Sequence, residues 1–150
     1  MDCLDLPVAT EEERFRSSNE EKDRFDAVVD RIVSRMEETK WDERDVFAVN
    51  LAVVEAINNA IEHGNKCNPS KYFVINYDVT PRHVFVCVRD EGEGFDPDHV
   101  PDPRDEDRLD FPSGRGLFLI RHAMDRVSFN TFGNEIYMFK NRSQKSPSGS

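Results

Sequence analysis

The chain has few of the features that mark secreted, membrane or zinc-binding proteins. Its three cysteines, Cys3, Cys67 and Cys87, form no CxxC pair, so neither a disulfide framework nor a zinc site is predicted. No segment approaches the roughly 20 consecutive apolar residues that a membrane-spanning helix needs. The acidic start, MDCLDLPVATEEE, lacks the basic and then apolar order of a secretory signal. We therefore expect a cytoplasmic protein with reduced thiols and no membrane partner.

Basic residues are also in deficit. The 150 residues include 20 Lys and Arg against 30 Asp and Glu, which gives a formal net charge of −10. Holding nucleic acid by neutralising its phosphates requires the opposite sign, so no direct nucleic-acid partner is expected. The length suits one hydrophobic core. We predict a single domain over residues 1–141 and a disordered tail over residues 142–150.

The order of apolar residues predicts helices in the first half of the chain. We expect a short strand over residues 4–8, and then a polar stretch that reaches Glu21. A first amphipathic helix follows, with the apolar positions Phe25, Val28, Val29, Ile32, Val33 and Met36. Asp42 is a suitable N-cap for a second helix, and Gly64 is a suitable C′ terminator for it. The apolar positions predicted for that helix are Val46, Phe47, Leu51, Val54, Ile57 and Ile61.

The second half of the chain predicts two hairpins around a third helix. The β-rich runs KYFVINYDVT and HVFVCVRD, joined by Pro81-Arg82, form one hairpin, and RVSFNTF and NEIYMFKN form another across Gly133-Asn134. Residues 91–113 are rich in Gly, Pro and acid and predict a long loop or lid, after which a helix begins near Arg115. We therefore predict an α+β two-layer sandwich, with helices on one face of a mixed, largely antiparallel sheet.

Three polar side chains follow one another at helical spacing in the second helix. Glu55, Asn59 and His63 are four residues apart, which places them on one helix face, away from the predicted apolar stripe. An amide oxygen suits Mg²⁺, which prefers hard oxygen ligands, and a carboxylate one turn away can accept a proton from an attacking hydroxyl. Taken alone, the same residues also fit an ordinary solvated helix face.

Two glycine motifs follow the predicted strands. Asp90 ends an apolar strand and precedes Gly92 and Gly94, so its carboxylate can accept a hydrogen bond from an exocyclic amine while glycine backbone approaches a flat ring. Residues 113–117, Ser-Gly-Arg-Gly-Leu, open the third helix, where free backbone N–H groups favour an anion. Singly, each motif is equally a turn or a helix start. Neither is a Walker A loop, since no GxxxxGK[ST] occurs in the sequence.

Together and in this order, the three motifs resemble the N, G1 and G2 boxes of the GHKL (Bergerat) ATP-binding fold. The segments LAVVEAINNAIEHGN, RDEGEGFDPDHVPDP and SGRGLFLIRHAMDRVSF are most similar to one branch, the anti-sigma factor serine-protein kinases of bacterial stress-response and sporulation switches. The resemblance covers residues 22–141. It implies ATP and Mg²⁺ as cofactors and phosphorylation of a serine or threonine on a STAS-domain anti-anti-sigma protein. A sigma factor is the second implied partner. The resemblance also implies a homodimer, with the first helix or the exposed sheet as the contact surface.

The resemblance also implies residue roles. Glu55 matches the base of phosphoryl transfer, Asn59 the Mg²⁺ ligand, and Asp90 the residue that recognises the adenine amino group. The matching glycines are expected to shape the adenine pocket (Gly92, Gly94) and, with Arg115, to border the phosphates (Gly114, Gly116). His63 receives no role.

The predicted lid leaves two points open. It is strongly acidic, so its contact with phosphates is repulsive unless an arginine turns inward, and we hypothesise that Arg108 or Arg115 contacts the γ-phosphate. The alternative to a kinase is a nucleotide-gated binding module that sequesters a regulatory partner without phosphorylating it. Glu55 favours the kinase, because a pure binder has no need of a base there.

Overall fold

A computed structural model describes residues 11–92, 114–131 and 133–142 as one five-stranded sheet with helices packed against it. The strands are β1 (Glu11–Arg16), β2 (Tyr72–Val79), β3 (His83–Asp90), β4 (Arg126–Phe129) and β5 (Glu135–Asn141). The helices are α1 (Lys22–Glu38), α2 (Glu43–Asn59) and α3 (Gly114–Ala123), with a 3₁₀ turn at Asn19–Glu21 and a π-helical turn at Ala60–Gly64. The predicted α+β class is confirmed.

The sheet runs in the order β1-β2-β3-β5-β4, and each of the four pairings between described strands is antiparallel. Both predicted hairpins are present: Val79 pairs with Val84 across the first, and Phe129 pairs with Ile136 across the second. Because β3 lies at the centre, its last residue, Asp90, comes to the same edge of the sheet as the β4–β5 turn. The sheet topology therefore places the motif that begins at Asp90 at the end of the sheet where the β4–β5 turn lies.

One face of the sheet carries the helices. Alternate residues of β2 and β3 point into a single core with the buried faces of all three helices, as the two-residue period of a half-buried strand requires. The largest fully buried side chains of this core include Tyr77, Phe15, Phe73, Ile32, Met36, Ile75, Ile120 and Met138. Phe85 and Cys87 are also buried but lie outside that cluster, on the opposite face of β3.

The first strand lies where the sequence analysis placed a polar stretch. Residues 4–8, predicted as a strand, lie outside the described residues, and the strand that is described covers Glu11–Arg16. Its only buried residue is Phe15, which stacks on Phe73 with ring centroids 5.4 Å apart. Glu11 accepts hydrogen bonds from the Tyr77 hydroxyl and from Arg35 of α1, each at 2.5 Å. Charge pairing to α1, rather than apolar alternation, therefore supports this edge strand, so its polar sequence gave no strand signal.

The start of α2 agrees with the prediction, and its buried face differs from it in part. Asp42 caps the helix as predicted, accepting from Arg44 N at 2.9 Å. The predicted apolar stripe is wrong at Phe47, which is 70% exposed, and at Val54, which is 39% exposed, whereas Ile57 is buried as predicted. The buried face of α2 comprises Asp45, Val49, Ala52, Val53, Ala56 and Ile57.

The helix α3 runs antiparallel to α2. Gly116, near its start, lies against Glu55 and Asn59 of α2. At its other end, the Ala123 carbonyl accepts from Lys140 Nζ at 2.8 Å, and the same ammonium lies 3.8 Å from Asp45 at the beginning of α2. These contacts fix the relative positions of the first and third motifs.

Arg142 fastens the end of the sheet that is farthest from Asp90. Its guanidinium donates to the carbonyls of Thr39 and Pro81 at 2.9 and 3.0 Å and also to that of Lys40, which has a positive φ of 64°. Trp41 is buried beside it and donates from Nε1 to Thr80 O at 3.1 Å. The α1–α2 and β2–β3 connections are thus held together. Among the described residues, no helix is both long and apolar enough to cross a membrane.

Candidate functional site

The site begins where α2 changes its helical form. After Asn59 the chain continues as a π-helical turn, Ala60–Gly64, in which Asn65 N donates to Ala60 O at 2.8 Å, an i→i+5 bond. The prediction that Gly64 follows the helix as its C′ residue is therefore wrong, because Gly64 is the last residue of the π-helical turn. Positive φ values occur instead at Lys66 and Cys67. Short π-helical segments are frequent at functional sites, and here the turn delivers Gly64 to the end of β3.

Gly64 is required by close packing, not by backbone conformation. A Cβ built on Gly64 would lie 2.6 Å from Asp90 Oδ1 and closer still to the carboxyl carbon. A Cβ on Gly92 would overlap the Gly64 carbonyl and lie 2.9 Å from Asp90 Oδ1. Since neither glycine leaves room for a side chain, the backbone at Gly64 packs directly against the Asp90 carboxyl group and the Gly92 backbone.

Asp90 is held in an orientation and an environment that alter its acidity. Its Oδ1 accepts from Gly92 N at 2.7 Å, which favours the ionised form. Burial has the opposite and larger effect, and it raises the pKa of the Asp90 carboxyl to about 6 in spite of that hydrogen bond and of nearby Lys71. The ionised carboxylate is destabilised by its burial, and an additional hydrogen-bond donor would stabilise it. Such perturbed carboxyls are concentrated at functional sites.

The predicted pair on α2 meets the start of α3. A Cβ built on Gly116 would lie 2.9 Å from Glu55 Oε2 and 3.5 Å from both Asn59 Oδ1 and Asn59 Nδ2. Both polar side chains are half-buried. The absence of a side chain at Gly116 thus leaves the carboxylate and the amide directly against the first turn of α3. The N-terminal turn of a helix favours negative charge, so this corner suits an anionic ligand.

Not every predicted site residue is described to the same extent. Gly94 and Arg108 lie outside the described residues, as does most of the predicted lid. Gly114 and Arg115 are the first two residues of α3. His63 lies in the π-helical turn and is half-buried.

The described residues contain no group of three or more His, Cys, Asp or Glu side chains that could hold a metal ion. Mg²⁺ commonly takes one or two protein oxygens and completes its shell with water and substrate phosphates. Asn59 Oδ1, beside the Gly116 backbone, is an oxygen of the required type.

Two asparagines that the sequence analysis did not single out contribute to the site. Asn65 has no exposed surface, and its Oδ1 accepts from Glu91 N at 2.8 Å. Asn134, in the β4–β5 turn, donates from Nδ2 to Asp90 O at 3.2 Å. Asn65 directly follows the His63-Gly64 pair, so its place in the first motif was a signal. Asn134 had none, since turn-forming asparagines are common.

The fold and this corner place the protein in the class of GHKL-type α+β sandwiches. Residues 19–140 match the family described as the histidine kinase-like ATPase domain. The chain belongs to that family.

Individual relatives agree with the predicted branch. The chain is 33% identical over 105 residues to the serine-protein kinase RsbW of Staphylococcus epidermidis, a match covering 64% of this chain and 65% of the relative. It is 34% identical over 102 residues to RsbW of Oceanobacillus iheyensis, covering 61% and 63%. The serine/threonine-protein kinase BtrW of Bordetella bronchiseptica is 30% identical over 92 residues, covering 60% and 65%. The chain therefore matches just under two thirds of the length of these curated relatives.

A solved structure supports the fold. The RsbU and RsbW domains of a Mycobacterium tuberculosis protein align with 91% of this chain and 34% of that one, at a TM-score of 0.55 and 16% sequence identity. At this identity the likeness concerns architecture alone. The predicted resemblance to the anti-sigma factor kinase branch is confirmed by the sequence relatives, and the Bergerat-type fold by the structural one.

Proposed function

We propose that the protein is an ATP- and Mg²⁺-dependent serine/threonine kinase of the bacterial cytoplasm. Its substrate is a STAS-domain anti-anti-sigma protein, and its second ligand is a sigma factor that it sequesters. In this proposal Asp90 accepts a hydrogen bond from the adenine amino group, and Gly92 and Gly94 shape the pocket around the ring. Gly114, Arg115 and Gly116 border the phosphates.

The observation that carries the proposal is the position of Glu55 and Asn59 against Gly116. A carboxylate and an amide, one helical turn apart, face the start of α3 where the sequence is Gly-Arg-Gly. Phosphoryl transfer depends mainly on positioning of the reactants and on stabilisation of charge. The Glu55 carboxylate and the Asn59 amide are groups that can contribute to both. Glu55 would accept the proton of the attacking hydroxyl, and Asn59 would hold Mg²⁺, which offsets the charge of the polyphosphate when bound.

The decisive experiment separates transfer from binding. γ-Labelled ATP and Mg²⁺ are incubated with candidate STAS-domain proteins and with wild type, Glu55→Gln or Glu62→Gln. Glu55→Gln keeps the shape of the side chain and removes the base. The control, Glu62→Gln, makes the same change at an exposed position one residue before His63. ADP affinity is measured for all three proteins by calorimetry.

We expect wild type and Glu62→Gln to label a STAS protein, and Glu55→Gln to bind ADP normally without labelling it. Transfer by Glu55→Gln at the wild-type rate would remove Glu55 from the role of base. ATP binding by wild type without label on any STAS protein would favour the binding module that sequesters a partner. Nucleotide affinity with and without Mg²⁺ tests Asn59, since Asn59→Ala should abolish the difference.

The homodimer belongs to the same proposal. The face of the sheet opposite the core cluster carries apolar side chains at its centre, Phe85 and Cys87 on β3 and Phe139 on β5, and none of the described helices packs on it. Arginines border the patch at Arg14 and Arg89. Light scattering should give twice the chain mass for wild type, and Phe139→Asp should give the single mass. A monomeric wild type would remove the dimer from the proposal.

A further inference from the structure

A single peptide group, the one that joins Asp90 to Glu91, is held on both sides by asparagine side chains. Its carbonyl, Asp90 O, accepts from Asn134 Nδ2 at 3.2 Å. Its N–H, on Glu91, donates to Asn65 Oδ1 at 2.8 Å. The two asparagines come from different parts of the chain, one from the end of the π-helical turn and one from the β4–β5 turn. Both hydrogen-bonding atoms of this peptide group are therefore held by asparagine side chains.

Each asparagine is itself held in place. Asn65 donates from Nδ2 to Ser17 Oγ at 2.7 Å and to Tyr72 O at 2.8 Å, so its buried amide is fully engaged. Asn134 accepts from Asn130 Nδ2 at 2.6 Å. Asn130 in turn accepts from the backbone of the β4–β5 turn, including Asn134 N at 3.0 Å. Amide side chains locked in this way can define the orientation of the group they hold, because neither is free to rotate.

We propose that Asn65 and Asn134 are positioning residues that set the preference of the site for adenine. The inference rests on the proposed function, in which Asp90 reads the adenine amino group. The direction of the Asp90 carboxylate follows from its own backbone and from Gly92 N, which donates to it at 2.7 Å. Asp90 Cα is bonded directly to the clamped peptide group, and Gly92 N belongs to the next peptide group along the chain. Rotation of that group would turn the carboxylate away from the amine and loosen the distinction between adenine and guanine.

Guanine provides the test, because it carries a carbonyl oxygen where adenine carries the amine. A well-oriented carboxylate accepts from the amine and repels the oxygen, and a site of this kind discriminates strongly against the wrong partner. A carboxylate that is free to turn loses the hydrogen bond from the adenine amine and is no longer repelled by the guanine oxygen. The ratio of ATP to GTP affinity therefore reports orientation, whereas stability reports packing.

The experiment measures the affinities for ATP and GTP by competition against a fluorescent ADP analogue, together with unfolding by urea. The variants are Asn134→Ala, at a half-buried position, and Asn65→Ala, at a fully buried one. The matched control is Ser17→Ala, which removes a partner of Asn65 that does not touch the clamped peptide group. We expect Asn134→Ala and Asn65→Ala to lower the ATP-to-GTP ratio by about fivefold to tenfold, the equivalent of one hydrogen bond. Ser17→Ala should lose stability and keep the ratio.

Each outcome bears on the inference. If both asparagine variants lose stability but keep the wild-type ratio, their role is purely structural and the inference is overturned. If Asn65→Ala fails to fold, Asn134→Ala decides alone. A wild type that binds ATP and GTP equally overturns the inference while leaving the kinase proposal intact, since transfer needs no base selectivity. A wild type that binds neither nucleotide overturns the proposed function first.

Discussion

Replacing Asp90 by asparagine should make the nucleotide-free protein more stable while it weakens ATP binding. Burial raises the pKa of this carboxyl from 3.8 to about 6, so the folded protein holds a proton there more tightly than the unfolded chain does. Between pH 4 and pH 6 the folded state therefore binds more protons, and stability falls as the pH rises. Above pH 6 the whole penalty of an ionised, buried carboxylate remains.

The size of the effect follows from the shift. About two pKa units correspond to at most ~3 kcal/mol of unfolding free energy at neutral pH. Asparagine carries no charge and so avoids that penalty. Its oxygen can still accept from Gly92 N, although a neutral acceptor bonds more weakly than a carboxylate, by about 1 kcal/mol. We expect a net gain of about 1–2 kcal/mol at pH 7.5.

Urea unfolding of wild type and Asp90→Asn from pH 5.2 to pH 8 tests this reasoning. Asp30→Asn, which removes one exposed carboxylate from α1, controls for the change in net charge. The stability difference between Asp90→Asn and wild type should grow as the pH rises through 6, and Asp30→Asn should show no such step. A variant that is less stable than wild type at every pH, by a constant amount, would refute the account of Asp90 as a buried, costly carboxylate.

The same substitution should weaken ATP binding, since the amide places a donor where the adenine amine needs an acceptor. A loss of roughly ten- to a hundredfold is expected for a hydrogen bond to a charged group. Calorimetric titration with ATP at pH 7.5 measures it. Asp30→Asn should bind as wild type does. Unchanged affinity in Asp90→Asn would remove Asp90 from the proposed adenine contact, independently of the stability result.

Three further substitutions test the packing of the site and of the opposite end. Gly64→Ala places a methyl group against the Asp90 carboxyl, so ATP affinity should fall at least about tenfold, and near-normal calorimetric binding would contradict the close approach. Gly116→Ala displaces only the flexible end of Glu55, so transfer in the labelling assay should drop while ADP affinity changes little. Equal losses of transfer and ADP affinity would argue against this selective effect on Glu55. Arg142→Ala frees three backbone carbonyls and should cost about 2 kcal/mol in urea unfolding, with ATP affinity preserved.

Much of the architecture could be predicted because its signals are local. The β-rich runs of β2 and β3, the helical spacing from Phe25 to Met36 and the Asp42 cap each depend on neighbouring residues, and the structure confirms them. β1 could not be predicted in the same way. Its strand character comes from pairing with β2 and from arginines of α1 that lie far away in the sequence.

The site shows the same division. The spacing of Glu55 and Asn59 and the strand-end position of Asp90 are sequence patterns, and the structure brings each of them beside a glycine of another motif. The π-helical turn could not be predicted, because it depends on the packing of Gly64 against β3. The exposure of Phe47 and Val54 was missed because the buried face of α2 includes Ala52 and Ala56, whose small side chains give a weak apolar signal.

The position of Trp41 decides which optical signal reports which event. It is the one tryptophan of the chain, and its indole is buried where the Arg142 guanidinium joins two connections. The length of β3, eight residues, separates that end of the sheet from Asp90 by about 23 Å at the usual rise per residue. Intrinsic fluorescence should therefore follow loss of the whole fold and stay constant when ATP is added. Folding and ligand occupancy can then be recorded separately in one cuvette, with no label for the first.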